Sequence, residues 1–389
     1  MSAVVIDSGI DTGAVLHYGD PLREARNLND GQALTHLAST AVFTVTGSTR
    51  LQWLHLFLSQ ACDNAVVGES IDALILTPNG HIEFGLHMVD DGSTAWVLSD
   101  RSTKEALLAY MRMMVFTYDV TITDVSDDYA VVGGIGAPVF SMPSTDASEQ
   151  DVSGQGISEG VNALVDAAAL WRAGASFSTA DPALDKYVPS RPGVWPAYEA
   201  VVPRGDVDAL LHRFGAAGMW AWESLRAAAG VPRVVVDADH RSLPHELGLI
   251  GEAVHLRKGC YRGQEAVART YNLGKPPRRF VLLHLDGSSE DLPKPGAEVT
   301  NGDEDSVVGA ITTVLWHYEL GPIALALVKR SLPLDATLSI DSGRFAASQQ
   351  PIVVVPDEVS PVEQFRREKR ANVAPLKDER TGTATPPST

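Results

Sequence analysis

The chain has 389 residues, 44% of them hydrophobic, and a formal charge of −18 at pH 7. That length exceeds one ordinary core and predicts two or three domains, and the composition is that of a folded globular protein. The acidic balance speaks against a general nucleic-acid or anionic-membrane binder, no window approaches the roughly 18 apolar residues of a membrane span, and two cysteines are too few for a disulfide framework.

Residues 1–140 read as an α+β domain. AVFTVTG (Ala41–Gly47) is a β-branched strand ending at a glycine, and TRLQWLHLFLSQ follows with apolar residues at helical spacing. DALILTPNGHIEFGLHMVDDGSTAWVLSD reads as three strands joined by PNG and DDG turns. KEALLAYMRMMVF is an amphipathic helix, after which DVTITDVSDDYAVVGGIG returns to strands. The glycines of VVGGIGAPV (Val131–Val139) lack the full GxGxxG pattern and read as a turn. Residues 141–160 are polar and glycine-rich, a flexible loop.

Residues 161–275 read as a second α+β domain, with a strand in VWPAYEAVVP and helices in DVDALLHRFG and GMWAWESLRAAAG. Gly230 and Pro232 suit the end of the latter helix. Trp220 and Trp222 point to different faces of it, which predicts one in the core and leaves the other to line a channel. Residues 276–355 are nearly all strand-like, a small antiparallel barrel or sandwich, and 356–389 form a mobile tail with a short helix at VEQFRREKR. His81 and His87, like His240 and His245, lack a second ligand pair at metal spacing, so no metal site is expected. The N-terminus MSAVVIDSGIDTG has no basic n-region, and neither Cys62 nor Cys260 sits in a CxxC pair. Both features predict a cytoplasmic chain without signal or transit peptide.

The densest chemistry lies in KGCYRGQEAVART, Lys258–Thr270. Cations and a helix N-terminus both favour a thiolate, and Arg257, Lys258 and Arg262 surround Cys260 in sequence, just before a helical QEAVART. Gly259 and Gly263 let the backbone bend tightly or approach a ligand. Two readings stand: a reactive thiol, or a buried cysteine on a connection with solvated cations beside it.

Lys258, Gly259, Cys260, Tyr261, Gly263, Gln264, Glu265 and the arginine Arg269 resemble, in register, the signature of the YgfZ-type folate-binding proteins, relatives of the glycine-cleavage T-protein (aminomethyltransferase) family. Upstream, Glu223, Arg226, Gly230, Pro232 and Asp237, then Leu243, Pro244, Glu246, Gly248 and Leu249, are similar to a further family run. The likeness covers about residues 30–355 and is dense from 220 to 285. It implies a multi-domain α+β fold around a central channel that holds tetrahydrofolate or a derivative, ending in an antiparallel β-barrel.

The resemblance also implies site roles. Glu246 matches the carboxylate that reads the pterin ring, a pairing suited to two parallel N–H groups. Arg269 is split between the folate tail and a pair with Glu265, and Arg226 between the channel and a salt bridge with Glu223. Asp100 lies near the T-protein catalytic aspartate, but SDRSTKEALLAY does not match that motif residue for residue, so no role is assigned. The implied function is iron–sulfur cluster assembly or maintenance, with indirect effects on tRNA modification, Cys260 as the working thiol, and iron–sulfur carrier or client proteins as partners. Direct nucleic-acid or membrane contact is not implied. A folate-dependent aminomethyl or methyl transferase is the alternative.

Overall fold

The structure is a computed structural model that describes residues 3–142, 164–174, 189–302 and 306–353. Most of the expected polar loop (143–160) and the whole tail 356–389, with its expected helix, lie outside the described residues.

Strands Ser70–Leu76, Ile82–Asp90, Thr94–Asp100, Thr40–Thr46 and Thr121–Asp124 form one antiparallel sheet in that order. The PNG and DDG turns fall between its first three strands, as turn chemistry demands. Helices Arg50–Phe57 and Lys104–Met113 bury Trp53, Phe57, Leu107 and Met111 in a core shared with this sheet.

The second sheet runs Ala169–Arg172, Ala197–Pro203, Tyr129–Ile135, Leu34–His36, Ala216–Ala217. It draws strands from both sides of residue 140, so that boundary divides the sequence and not the sheets. Strand patterns show which residues extend; they carry no direct record of which distant strands pair. Helix Met219–Ala228 buries Met219, Trp222 and Leu225 with Leu28 and Val131 in a core beside this sheet.

The glycines Gly133 and Gly134 lie inside strand Tyr129–Ile135, not in the turn expected for VVGGIGAPV. A Cβ on Gly133 would stand 2.5 Å from Cζ3 of Trp222, and one on Gly134 would stand 2.3 Å from the hydroxyl of Tyr198. Two rings press on the bare backbone, which explains glycine here without any phosphate loop.

The last six strands close into an antiparallel barrel, Arg278–Leu285, Gly321–Lys329, Ser306–His317, Glu298–Asn301, Leu338–Ile340, Phe345–Pro351, whose last strand pairs back onto the first. Ser306–His317 slips register between Ile311 and Thr313. A bulge of this kind re-aims side chains: the adjacent Thr312 and Thr313 both donate to Asp237, at 2.5 and 2.8 Å.

Gly133→Ala should therefore cost about 1–3 kcal/mol of folding stability by overpacking. Gly259→Ala, whose Cβ would meet nothing within 4 Å, should stay within about 0.5 kcal/mol of wild type. Urea unfolding of the two variants checks the contrast, and equal midpoints would contradict it.

Candidate functional site

A cavity of about 550 Å³ opens between the two sheets and helix Met219–Ala228. Trp171, Trp195 and Trp222 supply aromatic wall, with Trp195 edge-on to Trp222 at 5.0 Å. Leu86, Leu98 and Met219 add aliphatic surface.

Five acids and four bases line this space: Asp72, Asp100, Glu199, Glu223 and Glu252 with His87, Arg191, Arg226 and Arg233. Each arginine is committed. Arg191 pairs with Glu252, Arg226 with Glu223 and Asp237, and Arg233 with Asp11 and Asp100. Asp72 and Glu199 are left with no arginine among the described residues and share His87.

That cluster follows from strand register. Asp72 lies directly opposite His87 in the first sheet, and Trp171 directly opposite Glu199 in the second. The imidazole bridges the sheets: Nδ1 lies 3.3 Å from Glu199 Oε2 and Nε2 lies 3.5 Å from Asp72 Oδ1. Its ring is parallel to Trp171 within 5°, centroids 3.8 Å apart. Burial works against the imidazolium, but Glu199 and Asp72 outweigh it and hold His87 up to about 9. Burial pushes Asp72 up to about 6, against the pull of His87. No hydrogen bond reaches Glu199 Oε1 from the described residues. The buried indole N–H of Trp171 faces Asp72 and, like His87, works against the upward push of burial on that acid.

Asp72, Trp171 and Glu199 were not singled out from the sequence, and His87 was weighed there only as a metal ligand. The signal was present: Asp72, His87 and Glu199 are the lone acid or imidazole groups inside the apolar runs SIDALIL, FGLHMV and AYEAVV. A strand that buries a charge usually pairs it or uses it.

The residues expected from sequence spread over three places. Arg226 does line the cavity, and its expected bridge to Glu223 is formed at 2.7 Å; the same guanidinium reaches Asp237 and Thr313. Glu246 is not among the lining residues. It is buried, with Oε1 accepting from Arg278 N and Nε and Oε2 from Arg278 Nη2 and Leu243 N. Both oxygens are spent, so the carboxylates that line the cavity without an arginine, among the described residues, are Glu199 and Asp72. Arg269 and Glu265 are exposed, line no part of the cavity and form no ion pair with each other among the described residues. Asp100 does line the cavity, but Arg233 and the amide and hydroxyl of Ser102 hold its carboxylate.

Cys260 is exposed and lies outside the cavity wall. Lys258 turns inward: its Nζ donates to the carbonyls of His55, Leu58 and Gln60, where helix Arg50–Phe57 leaves them without intrahelical partners. Arg262 reaches Glu83 at 3.1 Å. Two of the cations grouped around the thiol in sequence are thus committed to the first sheet and its helix. Tyr261 is buried, with Lys258 Nζ 5.4 Å from its ring centroid, and Gln264 donates back to the carbonyl of Lys258. Gly263, at φ +84°, precedes helix Gln264–Leu273 and packs on Thr77 and Gly80, where a Cβ would stand 2.5 Å from the Thr77 carbonyl oxygen. Among the described residues, no three His, Cys, Asp or Glu side chains are grouped to hold a metal ion, and no helix is long and apolar enough to cross a membrane.

No family model matches the chain. It is 28% identical over 196 residues to the mitochondrial iron–sulfur cluster assembly factor IBA57 homolog of Mycosarcoma maydis, covering 50% of this chain and 39% of that protein. It is 29% identical over 142 residues to the tRNA-modifying protein YgfZ of Edwardsiella ictaluri, covering 35% of this chain and 42% of that one. The matches thus span about two fifths of the length of these relatives. In three dimensions it is similar to the glycine cleavage system aminomethyltransferase T of Bartonella henselae, with a TM-score of 0.68 at 15% identity over 92% of this chain and 95% of that one. The chain is therefore a relative of the YgfZ-type proteins and has the fold of the glycine-cleavage aminomethyltransferase.

Proposed function

We propose that the chain binds tetrahydrofolate or a derivative in the cavity and acts in iron–sulfur cluster assembly or maintenance. The carrying observation is the Glu199 carboxylate, which has an unpaired oxygen and no arginine partner, in a cavity walled by three tryptophans. An amino-pyrimidinone edge presents two parallel N–H groups, the complement of one carboxylate, and charge assistance makes such pairs strong. The tryptophan faces suit the pterin and aminobenzoyl rings, and a cavity of about 550 Å³ falls in the range that encloses a ligand of this size. Arg191 lines the cavity and Arg269 does not, so Arg191 is the better placed of the two for a tail carboxylate. Bound folate would supply one-carbon chemistry; the chain supplies binding and orientation.

The iron–sulfur half rests on what the similar proteins do and on Cys260, exposed within KGCYRGQE. One exposed thiol suits a shared ligand or a redox step with a carrier or client protein better than a cluster held by this chain alone, which takes four thiolates. Effects on tRNA modification then arise through client enzymes, without direct contact to nucleic acid. Two free cysteines, one of them exposed, suit a reducing compartment such as the cytoplasm. The second reading, a folate-dependent aminomethyl or methyl transferase, draws on Asp100 in the cavity wall. Turnover of an aminomethyl donor with tetrahydrofolate, lost in Asp100→Asn, would favour it.

Glu199→Gln should weaken binding of 5-formyltetrahydrofolate by about 10–100-fold in calorimetry, the loss expected for a charged hydrogen-bond partner. Glu246→Gln should act on stability instead, because Arg278 is its partner. No binding by wild type at millimolar ligand would defeat the folate reading. Cys260→Ala should leave the fold and folate binding unchanged and abolish the support of iron–sulfur enzymes in cells lacking the native protein. Full support by that variant would defeat the thiol role.

A further inference from the structure

On the reading that Glu199 receives the ligand, the cavity has a conflict to resolve. The carboxylate that must accept two N–H groups already has one oxygen facing an imidazolium. We infer that His87 is an exchangeable cap on Glu199: the donating ring edge of the occupant takes the carboxylate, and the imidazolium passes to Asp72 on the neighbouring strand.

Three observations carry this. The imidazole closes on neither acid, standing 3.3 Å from Glu199 and 3.5 Å from Asp72, where a committed charge-assisted bond spans about 2.7–2.9 Å. The ring is parallel to Trp171 within 5°, so it can shift in its own plane toward Asp72 and keep its stack. Among the described residues Asp72 has no cation other than His87 beside it, only the Trp171 indole, and it lies opposite His87 in register, so it is a ready landing place for the imidazolium. Without Asp72, a cation displaced from Glu199 by the occupant would have no acid to pair with in the filled cavity, which is disfavoured.

The cap also selects its ligand. A ring edge that only accepts hydrogen bonds gives Glu199 nothing in exchange for the imidazolium, and an anionic edge is repelled by both acids. A neutral ring with an exocyclic amine next to a ring N–H replaces the imidazolium on both oxygens.

The charged groups facing His87 are Glu199 from strand Ala197–Pro203 and Asp72 from strand Ser70–Leu76, with Trp171 stacked from Ala169–Arg172 and Glu252 acting on Asp72 from the loop beyond. The sign of the pH effect follows. As pH falls through about 6, Asp72 is protonated and the landing place loses its charge, so binding weakens. As pH rises through about 9, the imidazole loses its proton and no longer competes for Glu199, so binding strengthens.

Calorimetry on the full chain with 5-formyltetrahydrofolate tests the exchange. His87→Phe keeps an aromatic stack without the charge and should bind about ten-fold tighter than wild type at pH 7.5; Asp72→Asn should bind about ten-fold weaker. His87→Gln serves as the second uncharged variant if the phenylalanine does not fold. Imidazole ¹⁵N shifts of His87 should move on saturation with ligand while still reporting a protonated ring. Equal or weaker binding by both uncharged variants, or an unmoved His87 signal in the bound protein, overturns the exchange and leaves the folate reading standing. No binding by wild type or by any variant overturns both.

Discussion

A guanidinium with almost no exposure has to be neutralised where it lies, and Arg226 is such a group. It projects from helix Met219–Ala228, pairs with Glu223 one turn back, and crosses to Asp237, which is fully buried. Asp237 in turn accepts from the Arg233 amide and from the two threonines aimed at it by the barrel bulge. One network therefore fixes the cavity-lining helix, the short helix Val234–Asp237 and the barrel against one another. Removing one partner from such a buried set strands a charge, a loss of about 3–5 kcal/mol, whereas the intact network adds little net stability. What it does show is a tie between elements: Thr312 and Thr313 of the barrel and Arg226 of the helix all meet on Asp237.

The same logic runs through the motifs that resemble the YgfZ-type family. Glu246 closes on Arg278 at the start of the first barrel strand, with the Glu246 carbonyl accepting from Phe280 N. Lys258 gathers three carbonyls at the end of helix Arg50–Phe57. Gly263 admits the turn at Gly80. In each case a motif residue joins parts of the chain far apart in sequence. The groups that face the cavity uncommitted, Asp72, His87 and Glu199, come from strands outside those motifs.

That division explains what could be read from sequence. Strands with β-branched runs and the helices at Lys104 and Met219 were legible because periodicity and turn chemistry are local. The barrel was legible for the same reason. The site was legible only in part, because its geometry depends on register: Asp72 faces His87, and Trp171 faces Glu199, through pairings that no local pattern records. Charge counting near Cys260 misled for a related reason. Lys258 and Arg262 are close to the thiol along the chain, yet long side chains reach for the partners that satisfy them, and here those partners lie in the first sheet and its helix. The glycines of VVGGIGAPV needed Trp222 and Tyr198 in place before their absence of side chains had a cause.

The thiol and the cavity are separate in space but not in construction. Leu249, Glu252 and Ala253 line the cavity, and the chain then runs on to Cys260 at the surface. Between them it is stitched down: Ser59 Oγ donates to Ala253 O at 2.6 Å, Gln60 Nε2 to Glu252 O at 3.0 Å, His255 N to Ser59 O at 3.0 Å, and Lys258 to the helix end. Glu252 also holds Arg191 and acts on Asp72. The segment that presents the cysteine is thus anchored on the same backbone that shapes the acid–imidazole–acid cluster. The wall that carries Glu252 and Ala253 and the loop that carries the thiol are thus one hydrogen-bonded stretch of chain, so a change in the charge held by the cluster has a continuous backbone route toward Cys260.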